Sequence, residues 1–132
     1  MRHWFALALA FLGIFARAQA QPISKTVPAN KTTTVFVYTP FLGATCRSQL
    51  TVATLIDKPR HGRVSHFTTP ASIPDINRFT NRPTGCMSKP ITGFAVTYAP
   101  DRGFHGPDSF SLYVEFKESG RTTTDTFSIN VE

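Results

Sequence analysis

Hydrophobic and polar residues alternate along much of the chain with a period of two, which is typical of β-strands that are half buried in a sheet. The alternation is clearest near the C-terminus, in residues 109–116 and 122–131. Between these runs, residues 117–120 (KESG) have the polar, glycine-ended composition of a hairpin turn. The residues expected on the buried faces are Phe110, Leu112, Val114 and Phe116, then Phe127, Ile129 and Val131.

Four further runs are rich in β-branched and aromatic residues, at 32–39, 50–56, 62–68 and 93–99. The last two are each bounded by proline or glycine, and no window combines a period of 3.6 residues with helix caps. This pattern predicts an all-β protein, an antiparallel β-sandwich of about seven strands.

The N-terminal segment has the pattern of a secretory signal peptide. Arg2 precedes an apolar run at 4–15, and Ala18 and Ala20 form a small-x-small cleavage site. We predict a signal peptide at residues 1–20 and one folded domain at residues 21–132, secreted or periplasmic, with no membrane span after cleavage. Because Arg17 is atypical so close to a cleavage site, an uncleaved amphipathic anchor is the alternative.

Two cysteines remain in residues 21–132, Cys46 and Cys86. In an oxidising compartment an even pair predicts a disulfide, which in a chain-entropy model stabilises a loop of this length by roughly 3–4 kcal/mol. A catalytic cysteine is the alternative, but no base lies nearby in the sequence.

Positive charge is concentrated in the middle of the domain. Residues 47–89 contain seven basic and two acidic residues, a net charge of +5, whereas residues 90–132 contain three basic and six acidic residues, a net charge of −3. This asymmetry is compatible with binding to an anionic polymer, or with solvated side chains scattered over several loops.

A stretch at 98–110, YAPDRGFHGPDSF, is built like a corner between two strands. Pro100 ends the first strand, and Gly103 and Gly106 allow backbone angles that other residues avoid. Phe104 is placed to cover the end of the sandwich, and Asp108 to accept backbone N–H bonds. The expected structural residues of this corner are Tyr98, Pro100, Gly103, Phe104, Gly106, Asp108 and Phe110.

This corner, the following hairpin and the upstream KPRHGRV (58–64) resemble the C-terminal part of bacterial Ig-like, cadherin-like tandem-repeat domains. The shared motif is Tyr-x-Pro followed by Gly-Phe-x-Gly-x-Asp-Ser-Phe. The resemblance covers roughly residues 56–131 and implies an Ig-like sandwich, here as a single exported domain. Leu112 stands where the family usually has a tyrosine.

Residues 65–97 are longer than the corresponding part of that family and are rich in proline, serine, threonine and asparagine. We predict a long loop insertion, held by the disulfide, that forms a candidate binding surface. An irregular cover over one sheet edge is the alternative. The expected contact residues are Arg78, Phe79, Arg82 and Lys89.

The function predicted from these features is non-catalytic binding or adhesion, with an unidentified protein or an anionic envelope polymer as partner. Nucleic acid is not favoured, because an exported protein seldom meets it. No catalytic residue, metal site or cofactor is predicted, since the known hydrolase and metalloprotease motifs are missing. An acid/base or metal cluster of Asp101, His105 and Asp108 is the enzymatic alternative.

Overall fold

A computed structural model describes residues 21–77, 80, 82–83 and 85–132. The predicted signal peptide at 1–20 lies outside these residues. The described residues form eleven β-strands and no helix, which confirms the all-β prediction. The strands are β1 Ile23–Val27, β2 Thr33–Tyr38, β3 Phe41–Leu42, β4 Arg47–Ser48, β5 Thr51–Asp57, β6 Gly62–Ser72, β7 Ile76–Asn77, β8 Arg82–Pro83, β9 Pro90–Pro100, β10 Gly106–Phe116 and β11 Arg121–Val131.

Two larger sheets contain the seven strands of five or more residues. One sheet has the order β1-β11-β10-β5 and the other β2-β9-β6. All neighbours are antiparallel except β1 and β11, which are parallel. The short strands form two separate pairs, β3 with β4 and β7 with β8.

The inner faces of the two larger sheets share one hydrophobic core. Alternate residues of β10 and β11 supply one side of it, as the sequence pattern predicted. Aromatic rings meet across the core: Tyr98 stacks with Phe110 at 6.3 Å between ring centroids, and Phe36 meets the edge of Phe127 at 6.0 Å. Such ring pairs add specific geometry to the burial of apolar area.

The prediction of a long loop over residues 65–97 was wrong for about half of that segment. Strand β6 continues to Ser72 and β9 begins at Pro90, so that the two pair along eleven residues each. Pro70 is tolerated because β6 is an edge strand, where a missing N–H need not break a ladder. Between β6 and β9, the described residues contain only the short paired strands β7 and β8.

The predicted disulfide between Cys46 and Cys86 is present, with the two Cα atoms 5.4 Å apart. It connects the β3–β4 pair to the segment that follows β6. Cys86 forms a second, small hydrophobic cluster with Ile73 and Ile91, against which Phe41 and Ala71 pack. The disulfide and this cluster together attach Ile73 and Cys86 to one end of the sandwich.

Candidate functional site

An aromatic cavity of about 320 Å³ opens at the disulfide end of the molecule. Its walls come from β2 and the residues after it, from the end of β10 and the turn that follows, and from the segment after β6. We call this the aromatic cavity. It is lined by Phe36, Val37, Tyr38, Thr39, Pro40, Phe41, Leu42, Gly43, Gln49, Pro74, Asn77, Phe116, Ser119 and Arg121.

The side chain of Gln49 holds two walls of the cavity together. Its Nε2 donates to the carbonyl of Phe41 at 2.9 Å, and its Oε1 accepts the N–H of Ser119 at 3.0 Å. Next to it, Leu50 N–H donates to Glu118 Oε2 at 2.8 Å. These bonds cross-link the β3 region to the β10–β11 turn, so the mouth of the cavity is formed before any ligand binds.

One cavity residue, Tyr38, also forms a buried hydrogen bond: its hydroxyl donates to Asp125 Oδ2 at 2.5 Å. Asp125 is on the inward face of β11, in the same row as Phe127. A carboxylate in such a row needs polar partners, because burying an unpaired charge is costly. Tyr38 therefore contributes its ring to the cavity wall while its hydroxyl satisfies part of Asp125.

The binding residues predicted from the sequence are only partly visible. Arg78 and Phe79 lie outside the described residues. Arg82 belongs to β8, where it pairs with Asn77 through the backbone. Lys89 is exposed and accepts the N–H of Ile73 at 2.9 Å with its carbonyl, but it does not line the aromatic cavity.

The predicted corner, with Tyr98, Pro100 and Phe110, lies at the opposite end of the sandwich. Gly103 and Gly106 adopt positive φ angles of 79° and 125°. The ring of Phe104 packs against the core and stacks on His61 with ring centroids 4.2 Å apart. Phe104 therefore covers this end of the core.

Asp108 connects this corner to the turn before β6. Its carboxylate accepts the Tyr98 hydroxyl at 2.7 Å and the backbone N–H groups of Arg60 and His61 at 3.0 Å each and of Ser109 at 2.9 Å. Burial acts to raise the pKa of Asp108, but the hydrogen bonds from Tyr98 and the three N–H groups outweigh it, so the pKa is lowered. The ionised carboxylate is thus used for structure. Both of its oxygens accept hydrogen bonds from these donors.

Burial, followed by the bond to Asp108, raises the pKa of the Tyr98 hydroxyl. This hydroxyl therefore remains protonated and keeps donating at ordinary pH.

An open depression at the same end is lined by three cations from separate parts of the chain, Lys31, Arg63 and Arg102, and by one acid, Asp101. None of the three forms an ion pair with a described residue. Asn30 Oδ1 accepts the N–H of Gly103 at 2.8 Å and fixes two loops of its rim. We call this the basic depression.

The positive charge of residues 47–89 is divided between the two ends of the molecule. Arg63 pairs with Ala99 at the corner end, whereas Lys89 precedes the Ser72–Pro90 pair at the disulfide end. The two pairs are nine residue positions apart along β6, which corresponds to roughly 30 Å. The charge asymmetry along the sequence is therefore not one continuous surface patch.

Sequence reasoning did not find the residues of the aromatic cavity. The signal available was the density of aromatic and proline residues in 36–41 (FVYTPF), where Phe36 and Phe41 flank Pro40. Phe116 was predicted to be buried, but its position beside Phe41 depends on the fold. No pattern in the sequence singled out Gln49 as a cavity residue.

Comparison with protein-family models, with curated proteins and with solved structures found no match. Among the described residues, no group of three or more His, Cys, Asp or Glu side chains is arranged to hold a metal ion. The same residues form no helix with the length and apolar character required to cross a membrane.

Proposed function

We propose that this protein is an exported, non-catalytic binding domain with an Ig-like fold. It takes an apolar group of a protein or envelope-polymer partner into the aromatic cavity. The fold is supported by the strand orders β5-β10-β11 and β2-β9-β6, which correspond to the C-F-G and B-E-D strands of Ig-like sandwiches. Strand β1 departs from the constant-type pattern by pairing with β11. Export is supported by the predicted signal peptide and by the disulfide.

The cavity itself is the observation that carries this function. Binding sites are concave and mostly apolar, with a few polar groups that set orientation. The rings of Phe36, Phe41 and Phe116 provide the apolar surface, and Gln49 and Ser119 lie at the mouth. The volume of about 320 Å³ suits one aromatic ring or a short acyl chain, either of which a larger partner can present.

Filling the cavity mouth should abolish binding. A Cβ atom at Gly43 would meet no heavy atom within 4 Å, and the residue has no positive φ, so the backbone at this position accepts a side chain such as that of Gly43→Trp. We expect indole and hexanoate, used as aromatic and aliphatic probes, to shift amide NMR signals around Gly43 and Ser119 in the wild type. We expect both probes to lose these shifts in Gly43→Trp.

Gly85→Trp is the matched control, because Gly85 is equally open and close to the disulfide but does not line the cavity. It should bind both probes like the wild type. Probe shifts that are unchanged in Gly43→Trp, or missing from the wild type, would rule out the cavity as the binding site.

A second candidate function is binding of an anionic polymer at the basic depression. The observation that favours it is the convergence of Lys31, Arg63 and Arg102 on one concave surface without ion-pair partners among the described residues. Cationic side chains held on a concave surface raise the local concentration of anionic ligands. Since exposed charges are screened over about 8 Å at physiological ionic strength, this binding should weaken with salt.

Dextran sulfate, compared with neutral dextran, tests this second function. The triple variant Lys31→Gln, Arg63→Gln, Arg102→Gln should lose most of the dextran sulfate binding measured at low salt. The control variant Lys25→Gln, Arg47→Gln, Lys89→Gln removes the same charge from exposed positions outside the depression. Equal losses in the two variants would mean that net charge, rather than this site, attracts the polymer.

A further inference from the structure

The outer strand β5 exposes a row of apolar side chains. Leu50, just before the strand, is 62% exposed, and Val52 and Ile56 are 42% and 51% exposed. These are three of the six large hydrophobic residues that are exposed among those the structure describes. Among the described strands, β5 pairs only with β10, so no described strand lies on the other side of its backbone.

Two of the other outer strands carry features that discourage pairing with a second chain. Strand β1 contains Lys25, and β6 contains Arg63 and Pro70. The outer strand β2 contains no charge or proline, but its exposed Val37 lines the aromatic cavity. Charged residues and proline are common protections of sheet edges. In β5 the only such residue is Asp57, at the end of the strand.

The sequence of β5 is self-complementary in an antiparallel pair centred on Thr54. Residues at equal distances on either side of Thr54 then face each other. Val52 faces Ile56 of the second copy and Ala53 faces Leu55, so apolar residues meet apolar residues. A β-bulge next to Ile56, where Ser111 pairs with Asp57 and Leu112 with Leu55, bends the end of the strand but leaves Ile56 exposed.

The charges beside the strand also fit such a pair. Asp57 faces Thr51 of the second copy, and Lys58 faces Leu50. No like charges are placed opposite each other, which would disfavour the pair. The two copies contribute the same residues, as a twofold interface requires.

We propose that β5 is a self-association edge, through which two copies of this chain join their four-stranded sheets into one continuous antiparallel sheet. The aromatic cavity and the basic depression lie at the two ends of each sandwich, so this interface is separate from both. An interface of one strand pair is small, and a reversible, concentration-dependent dimer is expected.

Analytical ultracentrifugation of the purified, oxidised protein over a wide range of concentration tests this proposal. Val52→Lys places a charge in the middle of the interface and should raise the dimer dissociation constant at least about tenfold. Phe67→Lys is the matched control, because Phe67 is 47% exposed on the outer strand β6 of the other sheet, and it should dimerise like the wild type. A wild type that stays monomeric at every concentration, or an equal loss in both variants, would overturn the proposal.

Cysteine cross-linking tests the geometry separately. In the proposed dimer the two Thr54 residues face each other across the twofold axis. A short reagent that reacts with two thiols should therefore convert Thr54→Cys into a covalent dimer. Ser128→Cys is the control, because Ser128 is exposed on β11 where that strand is paired on both sides, with Ser24 of β1 and Ser109 of β10, and it should remain monomeric. Cross-linking of Ser128→Cys to the same extent as Thr54→Cys would show that the copies do not meet along β5.

Discussion

At the residue scale, Asp108 shows how a residue with a local signal obtains distant partners. Its place in a Gly- and Pro-rich corner predicted a carboxylate that accepts backbone N–H bonds. Two of those N–H groups belong to Arg60 and His61, 48 and 47 residues earlier in the chain, and the hydroxyl of Tyr98 completes the set. The local sequence indicates that the Asp108 carboxylate needs hydrogen-bond donors, but the fold decides which N–H and O–H groups reach it.

Removing this charge should change how stability depends on pH. Because the pKa of Asp108 is lowered in the folded state, its stabilisation is complete above the unfolded pKa of about 3.9 and is lost as pH falls through the folded pKa. Asp108→Asn should lower the free energy of unfolding at pH 7 by about 1–3 kcal/mol, because buried donors lose their acceptor. The deficit relative to the wild type should shrink in urea denaturation at pH 3 and below.

Asp101→Asn is the control for this prediction, since Asp101 is an exposed acid at the same end of the molecule. It should leave the stability at pH 7 nearly unchanged. An Asp108→Asn deficit that stays the same from pH 7 to pH 3 would contradict the role of the ionised carboxylate.

At the element scale, the existence of the long strands was predictable from the sequence, but the full length of β6 and β9 was not. β10 and β11 alternate cleanly, and the structure shows their expected residues in the core. The ends of β6 and β9 contain Pro70, Gly93 and Pro90, which suggested a loop, yet they pair up to Ser72. Their pairing depends on the edge position of β6, and edge position is a property of the sheet.

The edge strand β5 illustrates the same limit. Its apolar, β-branched composition predicted a strand, and the structure has one at Thr51–Asp57. Composition does not indicate whether a strand has a neighbour on both sides. The topology leaves one side open, which turns Val52 and Ile56 into candidates for an interface between copies.

At the scale of the whole molecule, the disulfide joins parts of the chain that are far apart in sequence. Cys46 and Cys86 are separated by 40 residues, and the bond holds Cys86 next to Gly43, which lines the aromatic cavity. A cross-link over this distance restricts the unfolded chain strongly. The small cluster with Ile73 and Ile91 is too limited to hold the segment with equal strength.

Replacing both cysteines should therefore destabilise the protein as a whole. We expect Cys46→Ser with Cys86→Ser to lower the free energy of unfolding by about 3–4 kcal/mol in urea denaturation. Thr45→Ser with Met87→Ser changes the exposed neighbours of both cysteines and should have little effect. A loss below about 1 kcal/mol in the cysteine variant would show that the disulfide does little to restrict the unfolded chain.

The sequence by itself determined the all-β class, the hairpin of β10 and β11 and the pairing of two cysteines. The strands follow from the alternation of hydrophobic and polar residues along the chain, and the disulfide follows from the presence of only two cysteines in residues 21–132. The tertiary structure alone decided that Phe36, Phe41 and Phe116 line one cavity and that Lys31, Arg63 and Arg102 line one depression. Each of these sites is made of side chains from separate strands and loops, and their proximity is set by the packing of the two sheets rather than by any local pattern.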